Sequence, residues 1–259
     1  MVDQKADWAD MPGLIEAYLG ETGRRNDGFW DDGIYAAQPY MMTLGGEPAG
    51  FFAVGAWDGA PMLRAFYMPR ALRYLAQEQF ARVVSEFGIE RAMAASNDEL
   101  LLCLSFERMR ETGGRFEMQA YNLTYDAPRR AAEFGADCFM RVPEDAYPAM
   151  HAESENQWYD GVIPEGAQFY RAVQGEQTLG YGAIYPRRLD KGSADVGNYV
   201  IARYRQRGVG RSILIHLANL VRASGKQPTA GCWYYNHASI RTLMSAGFVP
   251  DVRLFNVQF

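Results

Sequence analysis

The chain has 259 residues, 48% of them hydrophobic and 22% charged, with a formal charge of -5. That length accommodates two lobes with sizeable cores, and the composition is that of an ordinary globular protein rather than a disordered one. The acidic balance excludes general nucleic-acid binding, which needs a basic surface to neutralise phosphates.

From the start of the chain, Asp3, Asp7 and Asp10 with a lone Lys5 supply neither the basic head nor the apolar run of a signal peptide. No stretch reaches the roughly 18 apolar residues that cross a bilayer, so no membrane association is expected. Cys103, Cys138 and Cys232 form an odd, widely spaced set with no C-x-x-C, which gives neither a disulfide framework nor a metal site. The expectation is a reduced, metal-free, cytoplasmic protein.

Gly13–Leu19 reads as a short amphipathic helix. Tyr40–Leu44 and Ala49–Val54 flank Gly45-Gly46-Glu47-Pro48 as a β-hairpin. Met62–Met68 is a strand, and Ala71–Phe87 carries apolar residues at helical period up to the stop at Gly88. Ile89–Ala95 is strand-like, Asn97-Asp98 caps a helix to about Met109, and Phe116–Tyr125 is a strand. The order then repeats. Pro143–Trp158 reads as helix, and Gln168–Val173 with Leu179–Tyr185 as a hairpin. Asp195–Ala202 is a strand, followed by a glycine turn and a helix to about Ala223. Thr229–Tyr235 is a strand, Asn236 opens a helix to Ala246, and Val252–Gln258 closes the chain as a strand. Two passes of one order imply internal duplication. The expected fold class is α+β, with two lobes divided near Asp126–Arg130 into residues 1–128 and 129–259, each a mixed central sheet flanked by helices.

The sharpest chemical signal is Arg205-Gln206-Arg207-Gly208-Val209-Gly210-Arg211, between the strand at Tyr199–Ile201 and an amphipathic helix. Two glycines at this spacing let the backbone turn tightly and approach a ligand. The free N–H groups at the helix start favour a phosphate. Arg203, Arg205, Arg207 and Arg211 crowd nine residues of an acidic protein, a local anion site. Asn236-His-Ala-Ser239 comes directly after Cys232-Trp-Tyr-Tyr235, and Ala246-Gly247-Phe248 closes the next helix. Read from the residues alone, Asn236 is a helix cap.

With R-x-x-G-x-G at Arg205–Gly210, N-x-A-S at Asn236–Ser239 and the A-G-F at Ala246–Phe248, the sequence resembles the GNAT superfamily of acyl-CoA-dependent N-acyltransferases. The resemblance is good over Gln168–Phe259 and weak over Ala36–Tyr125. It implies acetyl-CoA as cosubstrate, with no metal. The backbone of Gln206, Arg207, Gly208, Val209, Gly210 and Arg211, flanked by Arg205 and Ser212, would cradle the diphosphate. Val200, Ile201 and Ala202 would pair with the pantetheine arm, and Asn236 with Ser239 would contact it at the mouth of splayed strands. The first half lacks this equipment: Met68-Pro69-Arg70-Ala71 stands where the loop should be, and no glycine occurs between Ala60 and Phe87.

The resemblance also implies direct attack by an amine, small or protein-borne, without an acyl-enzyme. The family often has a tyrosine acid seven residues after the asparagine, where this chain has Leu243; Tyr235, Tyr234 or water could substitute. Candidate bases are Asp195, Glu153 and Glu155, and Trp30, Asp31 and Asp32 are candidates for an acceptor wall. A non-catalytic acyl-CoA sensor is the alternative. The tandem plan of aminoacyl-tRNA-dependent ligases is a third reading, against which the diphosphate loop and the acidic charge both speak.

Overall fold

The computed structural model describes residues 1–153 and 164–259. They form two compact units, one of residues 1–121, 188–190 and 252–259 and the other of residues 122–187 and 191–251.

In unit 1, β1 (Val2–Lys5) is followed by α1 (Pro12–Glu21), α2 (Gly28–Tyr35), β2 (Gln38–Leu44), β3 (Glu47–Trp57), β4 (Ala60–Tyr67), α3 (Ala76–Glu86), β5 (Arg91–Ala95), α4 (Glu99–Thr112) and β6 (Arg115–Tyr125). The β2–β3 hairpin turns where Gly45 and Gly46, at φ 62° and 92°, adopt the left-handed backbone such a turn demands. A second layer of the core packs Phe80, Val83 and Val84 of α3 with Leu63 and Phe66 of β4. The segment expected to be helical from Ala71 begins as a 3-10 stretch, Arg70–Leu75, and becomes α-helix only at Ala76. The terminus, although acidic, forms strand β1, which pairs antiparallel with β2.

Unit 2 comprises β7 (Phe139–Arg141), α5 (Tyr147–Glu153), β8 (Gln168–Gln174), β9 (Gln177–Pro186), β10 (Ser193–Val200), α6 (Val209–Ala223), β11 (Gln227–Trp233), α7 (His237–Ala246) and the first residues of β12 (Phe248–Gln258). The helix expected over Pro143–Trp158 is a 3-10 turn at Glu144–Ala146 leading into α5; its part beyond Glu153 lies outside the described residues. Pro143 caps that turn, and Pro148 is tolerated because it falls at the start of α5.

Strand order in unit 1 is β1-β2-β3-β4-β5-β12-β6, and in unit 2 β7-β8-β9-β10-β11-β6-β12. The sheets are mixed: hairpins β2–β3 and β8–β9 run antiparallel, whereas β4–β5 and β10–β11 run parallel. This is the expected α+β class with two duplicated lobes. Among the described residues, no helix is long and apolar enough to cross a membrane, and no group of three or more His, Cys, Asp or Glu side chains could hold a metal ion.

Two local features support measurable expectations. Helix α6 lies close on β9 because Gly180 and Gly182 leave room: a Cβ at Gly182 would stand 2.5 Å from Ile213 Cγ2 and 2.8 Å from Leu217 Cδ1. Gly182→Leu should therefore overpack this layer and cost about 1–3 kcal/mol; thermal melting should register a Tm several degrees lower.

In unit 1, Asp98 caps α4 by accepting from Leu101 N at 3.2 Å, and it receives the Tyr18 hydroxyl at 2.6 Å. Burial outweighs both bonds and pushes the Asp98 carboxyl up to about 6. The folded state thus holds the proton more tightly than the unfolded chain. Its contribution is fully present below about pH 4 and is lost as pH rises through 6, a total of about 3 kcal/mol for a shift of roughly two pH units. Asp98→Asn keeps the cap and removes the titration. In urea unfolding, its stability relative to the unsubstituted protein should rise by about 1–3 kcal/mol between pH 4.5 and 7; a gap constant with pH would refute the titration of Asp98.

Candidate functional site in unit 2

Strand β10 pairs with β9 along its whole length, from Ala194↔Pro186 to Val200↔Gly180. With β11 it pairs only through Ser193↔Gln227, Ala194↔Pro228 and Asp195↔Thr229. Both strands continue, β10 to Val200 and β11 to Trp233, so beyond Asp195 they part. A 3-10 turn, Ala202–Tyr204, then leads into the arginine loop. Gln206 and Gly208 sit at φ 62° and 78°, which turns the chain sharply into α6. Gly208 is the N-cap of α6 and provides no side-chain cap. The first helical bond there is Ser212 N to Gly208 O at 3.0 Å, which leaves the N–H groups of Val209, Gly210 and Arg211 without intrahelical acceptors.

A cavity of about 660 Å³ opens at this point. Of the residues expected to bind a cofactor, Val200, Arg205, Gln206, Gly208, Val209, Gly210, Arg211, Asn236 and Ser239 line it. Ile201, Ala202, Arg207 and Ser212 do not. Ile201 donates its N–H to Leu179 O at 3.1 Å, Ala202 opens the 3-10 turn, and Arg207 lies 5.9 Å over the Tyr204 ring. Ser212 is buried, its hydroxyl bonded to Gly208 O at 3.0 Å and accepting from Glu133 N at 2.9 Å. Asn236 is the helix cap, its Oδ1 accepting from Ser239 N at 3.1 Å at the start of α7, and the residue also lines the cavity.

Glycine at position 210 allows close packing. A Cβ at Gly210 would come within 3.0 Å of Asn198 Nδ2, 3.1 Å of Thr242 Cγ2 and 3.3 Å of Val200 Cγ2, closing the gap between α6, β10 and α7. Four arginines, Arg130, Arg205, Arg211 and Arg241, reach the same cavity. Arg205 Nε donates to Val200 O at 3.1 Å, and Arg211 pairs with Glu133 and donates from Nε to Ala131 O at 3.0 Å. Arg130 and Arg241 have no carboxylate partner among the described residues. Helix-start amides beside guanidiniums give the cavity an electropositive lining, a chemistry that favours anions.

Arg130 and Arg241 are additions to the sequence reading. A signal for Arg241 was available: Ala238, Arg241, Thr242 and Ser245 share one face of α7 at spacings of three, four and seven. Arg130 had none, since it arrives from a segment that reads only as a lobe boundary.

Asp195 stands at the fork itself, the last residue of β10 paired with β11, and its Oδ1 accepts from Thr229 Oγ1 at 2.9 Å. Glu155 lies outside the described residues. Glu153 accepts a hydrogen bond from the Tyr181 hydroxyl, whose pKa is raised first by burial and then by that carboxylate. Tyr235 is 63% exposed on the turn after β11 and outside the cavity lining, its ring edge-on to Tyr234. Leu243 is buried in the core.

In unit 1, Trp30 is buried and stacks on Tyr18 at 5.8 Å. Asp31, fully buried, accepts the N–H groups of Arg188 at 2.6 Å, Leu189 at 3.1 Å and Asp190 at 2.9 Å. Both therefore serve the packing of unit 1 rather than an acceptor wall. Strands β4 and β5 also part early, pairing only at Met62↔Arg91 and Leu63↔Ala92. The turn after β4 is of another kind: Pro69 leads a 3-10 stretch, and Arg73 is tied to Glu21 and to Met68 O at 3.3 Å. The cavity there, about 230 Å³, is walled by side chains such as Tyr18, Arg70, Arg73 and Asn97, with no glycine among them.

The chain belongs to the GNAT acetyltransferase family and carries two such domains in tandem. A profile described as "Acetyltransferase (GNAT) domain" matches residues 8–123, and one described as "Acetyltransferase (GNAT) family" matches residues 132–248. No curated protein matches the sequence. Among solved structures, the fold is similar to an acetyltransferase of the GNAT family from Colwellia psychrerythraea, with a TM-score of 0.78, 14% identity and 100% of both chains covered. It is similar also to a tandem GNAT protein from the clavulanic acid biosynthesis pathway, with a TM-score of 0.59, 13% identity, and 98% of this chain and 96% of that one covered. A GCN5-related N-acetyltransferase from Sphaerobacter thermophilus aligns with a TM-score of 0.58 and 12% identity over 98% of this chain and 94% of that one. At these identities the likeness is one of fold.

Proposed function

We propose that unit 2 is an acyl-CoA-dependent N-acyltransferase site that passes an acetyl or other short acyl group to an amine by direct attack. The observation that carries this reading is the cavity where β10 and β11 part, floored by free helix-start amides and ringed by arginines. The thioester supplies the activated acyl group.

The protein's part is binding, orientation and proton handling. The backbone from Gln206 to Arg211 takes the diphosphate, because Gly208 and Gly210 carry no Cβ of their own to hold a ligand away. The edge of β10 turned away from β9 takes the pantetheine arm in β-like pairing, and Asn236, its Oδ1 committed to the cap, has its amide nitrogen left to donate. A backbone N–H of that strand polarises the thioester carbonyl, and a fixed dipole of this kind is worth more than one that must reorient. Asp195 is the proton acceptor for the incoming ammonium: Thr229 holds one carboxylate oxygen and the position is at the fork. Water protonates the departing thiolate, since Leu243 is buried and apolar and Tyr235 faces outward. Cys232 is an unsuitable nucleophile, because burial pushes its thiol pKa up and leaves it protonated, which favours direct attack over an acyl-enzyme. The acceptor is a small amine or a protein amino group, and a cytoplasmic setting with its CoA pool suits the reaction. The division of labour is between residues 129–259, which hold the cosubstrate, and residues 1–128, which do not.

Two measurements test this. Gly208→Asp puts bulk and negative charge into the turn and should weaken CoA binding at least tenfold, about 1.4 kcal/mol or more, in calorimetry. Arg70→Asp in unit 1 should leave CoA affinity unchanged; equal losses at both positions would overturn the single-site reading. For catalysis, Asp195→Asn should lower kcat/KM by about 100-fold while CoA affinity stays within twofold. Turnover retained at the unsubstituted level would remove Asp195 from the role. Tight CoA binding with no free thiol released on any of a broad panel of amines would favour the sensor.

A further inference from the structure

The chain between β6 and β7 is bound to the diphosphate cradle by its backbone. Asp126 N donates to Gly247 O at 3.0 Å and Arg130 N to Ser245 O at 3.3 Å. Arg211 Nε donates to Ala131 O at 3.0 Å, and the Ser212 hydroxyl accepts from Glu133 N at 2.9 Å and Phe134 N at 3.2 Å. Gly247 is needed for this path, since a Cβ there would collide with the Ala127 carbonyl. The path delivers one cation and one anion to the site. Arg130 lines the cavity. Glu133 lays its carboxylate against Gly208, in the space a Cβ there would need, and pairs with Arg211.

We infer that Glu133 is a built-in counter-anion of the diphosphate cradle, one that competes with CoA for Arg211 and swings aside when the cosubstrate binds. The inference rests on the CoA reading of this site. A carboxylate at the lip of an anion site opposes a diphosphate through like charge and holds one of the four guanidiniums that would neutralise it. Its side chain is 49% exposed whereas that of Arg211 is 13% exposed, so the carboxylate has solvent to turn into while the guanidinium stays in place. The main-chain bonds to Ser212 do not involve the carboxylate, so they survive its departure. In the ligand-free protein the same carboxylate neutralises the most buried charge of an arginine cluster. A weakly held monoanion gains too little to displace it, whereas a diphosphate with an adenosine and a pantetheine arm gains enough. Glu133 thus selects for the whole cosubstrate and eases release of CoA after transfer.

The test is calorimetric titration of the full-length protein with CoA, comparing Glu133→Gln with the unsubstituted chain at low ionic strength. Glu133→Gln should bind CoA about tenfold more tightly, equal to about 1.4 kcal/mol. The gain should shrink in high salt, where charge effects on exposed groups are screened. Glu133→Ala serves as the second variant and must shift affinity in the same direction, with folding of each checked by thermal melting. Equal or weaker binding by a folded variant would make Glu133 a mere positioner of Arg211 and would overturn the inference while leaving the CoA site intact. Absence of CoA binding by all three proteins would instead overturn the site assignment, and the inference with it.

Discussion

The site depends on one interruption: β10 and β11 stop pairing after Asp195↔Thr229 although both strands run on. A continuous parallel ladder would have consumed the backbone groups of β10 on both edges and left no opening. Parting opens one edge while the other stays bonded to β9, so the strand is held firmly and yet accessible. The next turn adds a second set of groups, the amides at the start of α6, and the distance between the two sets is fixed by the few residues from Val200 to Gly208. A ligand with a hydrogen-bonding arm and a diphosphate meets both requirements. Neither feature alone would be selective, because helix starts and free strand edges are common.

The first unit shows which part of this arrangement is specific. Its β4 and β5 part in the same manner, after Leu63↔Ala92, so the fork belongs to the duplicated fold. The difference lies in the turn beyond it. Gly208 and Gly210 bring residues without side chains to the cavity in unit 2, whereas Arg70 and Arg73 bring side chains in unit 1, where Arg73 pairs with Glu21. Asp98, the cap of α4, is buried and bonded to Tyr18. In unit 1 these buried polar groups are satisfied by internal hydrogen bonds, which is what burial of polar groups demands.

Much of this was legible in the sequence because local physics dictates it. The hairpin turns carry glycines at positive φ, and the buried stripe of α6, including Ile213, Leu214, Leu217 and Val221, repeats at helical period. The turn from Arg205 to Arg211 into α6 was legible from its glycine spacing. What escaped depends on contacts distant in sequence. Strand β1 is a string of polar residues whose strand state is imposed by pairing with β2. α2 opens with Gly28 and is held by the Asp27 cap and by the burial of Trp30 and Ile34 rather than by propensity. Residues 254–258 of the last strand pair with β5, both within unit 1, a long-range pairing that no local pattern encodes. Ser212 fits the motif as a loop neighbour, yet its hydroxyl is turned to the chain at Glu133, a partner 79 positions away.

That same distant segment shows why net charge is a poor guide to a local site. The protein carries a charge of -5, yet four arginines converge on one cavity. Such a cluster is self-repelling when empty, and a fold can hold it only by supplying anions of its own or by leaving the charges in solvent. Here Arg130 and Arg241 keep to the second course and Arg211 takes the first. The residue with the least solvent, Arg211, is the one given a carboxylate. Stability of the empty site and affinity for an anionic ligand therefore draw on the same guanidinium, and strengthening one weakens the other. A partner for Arg211 that is fixed in its backbone but free in its side chain reconciles the two, since the fold keeps its linker in place whichever anion the arginine holds.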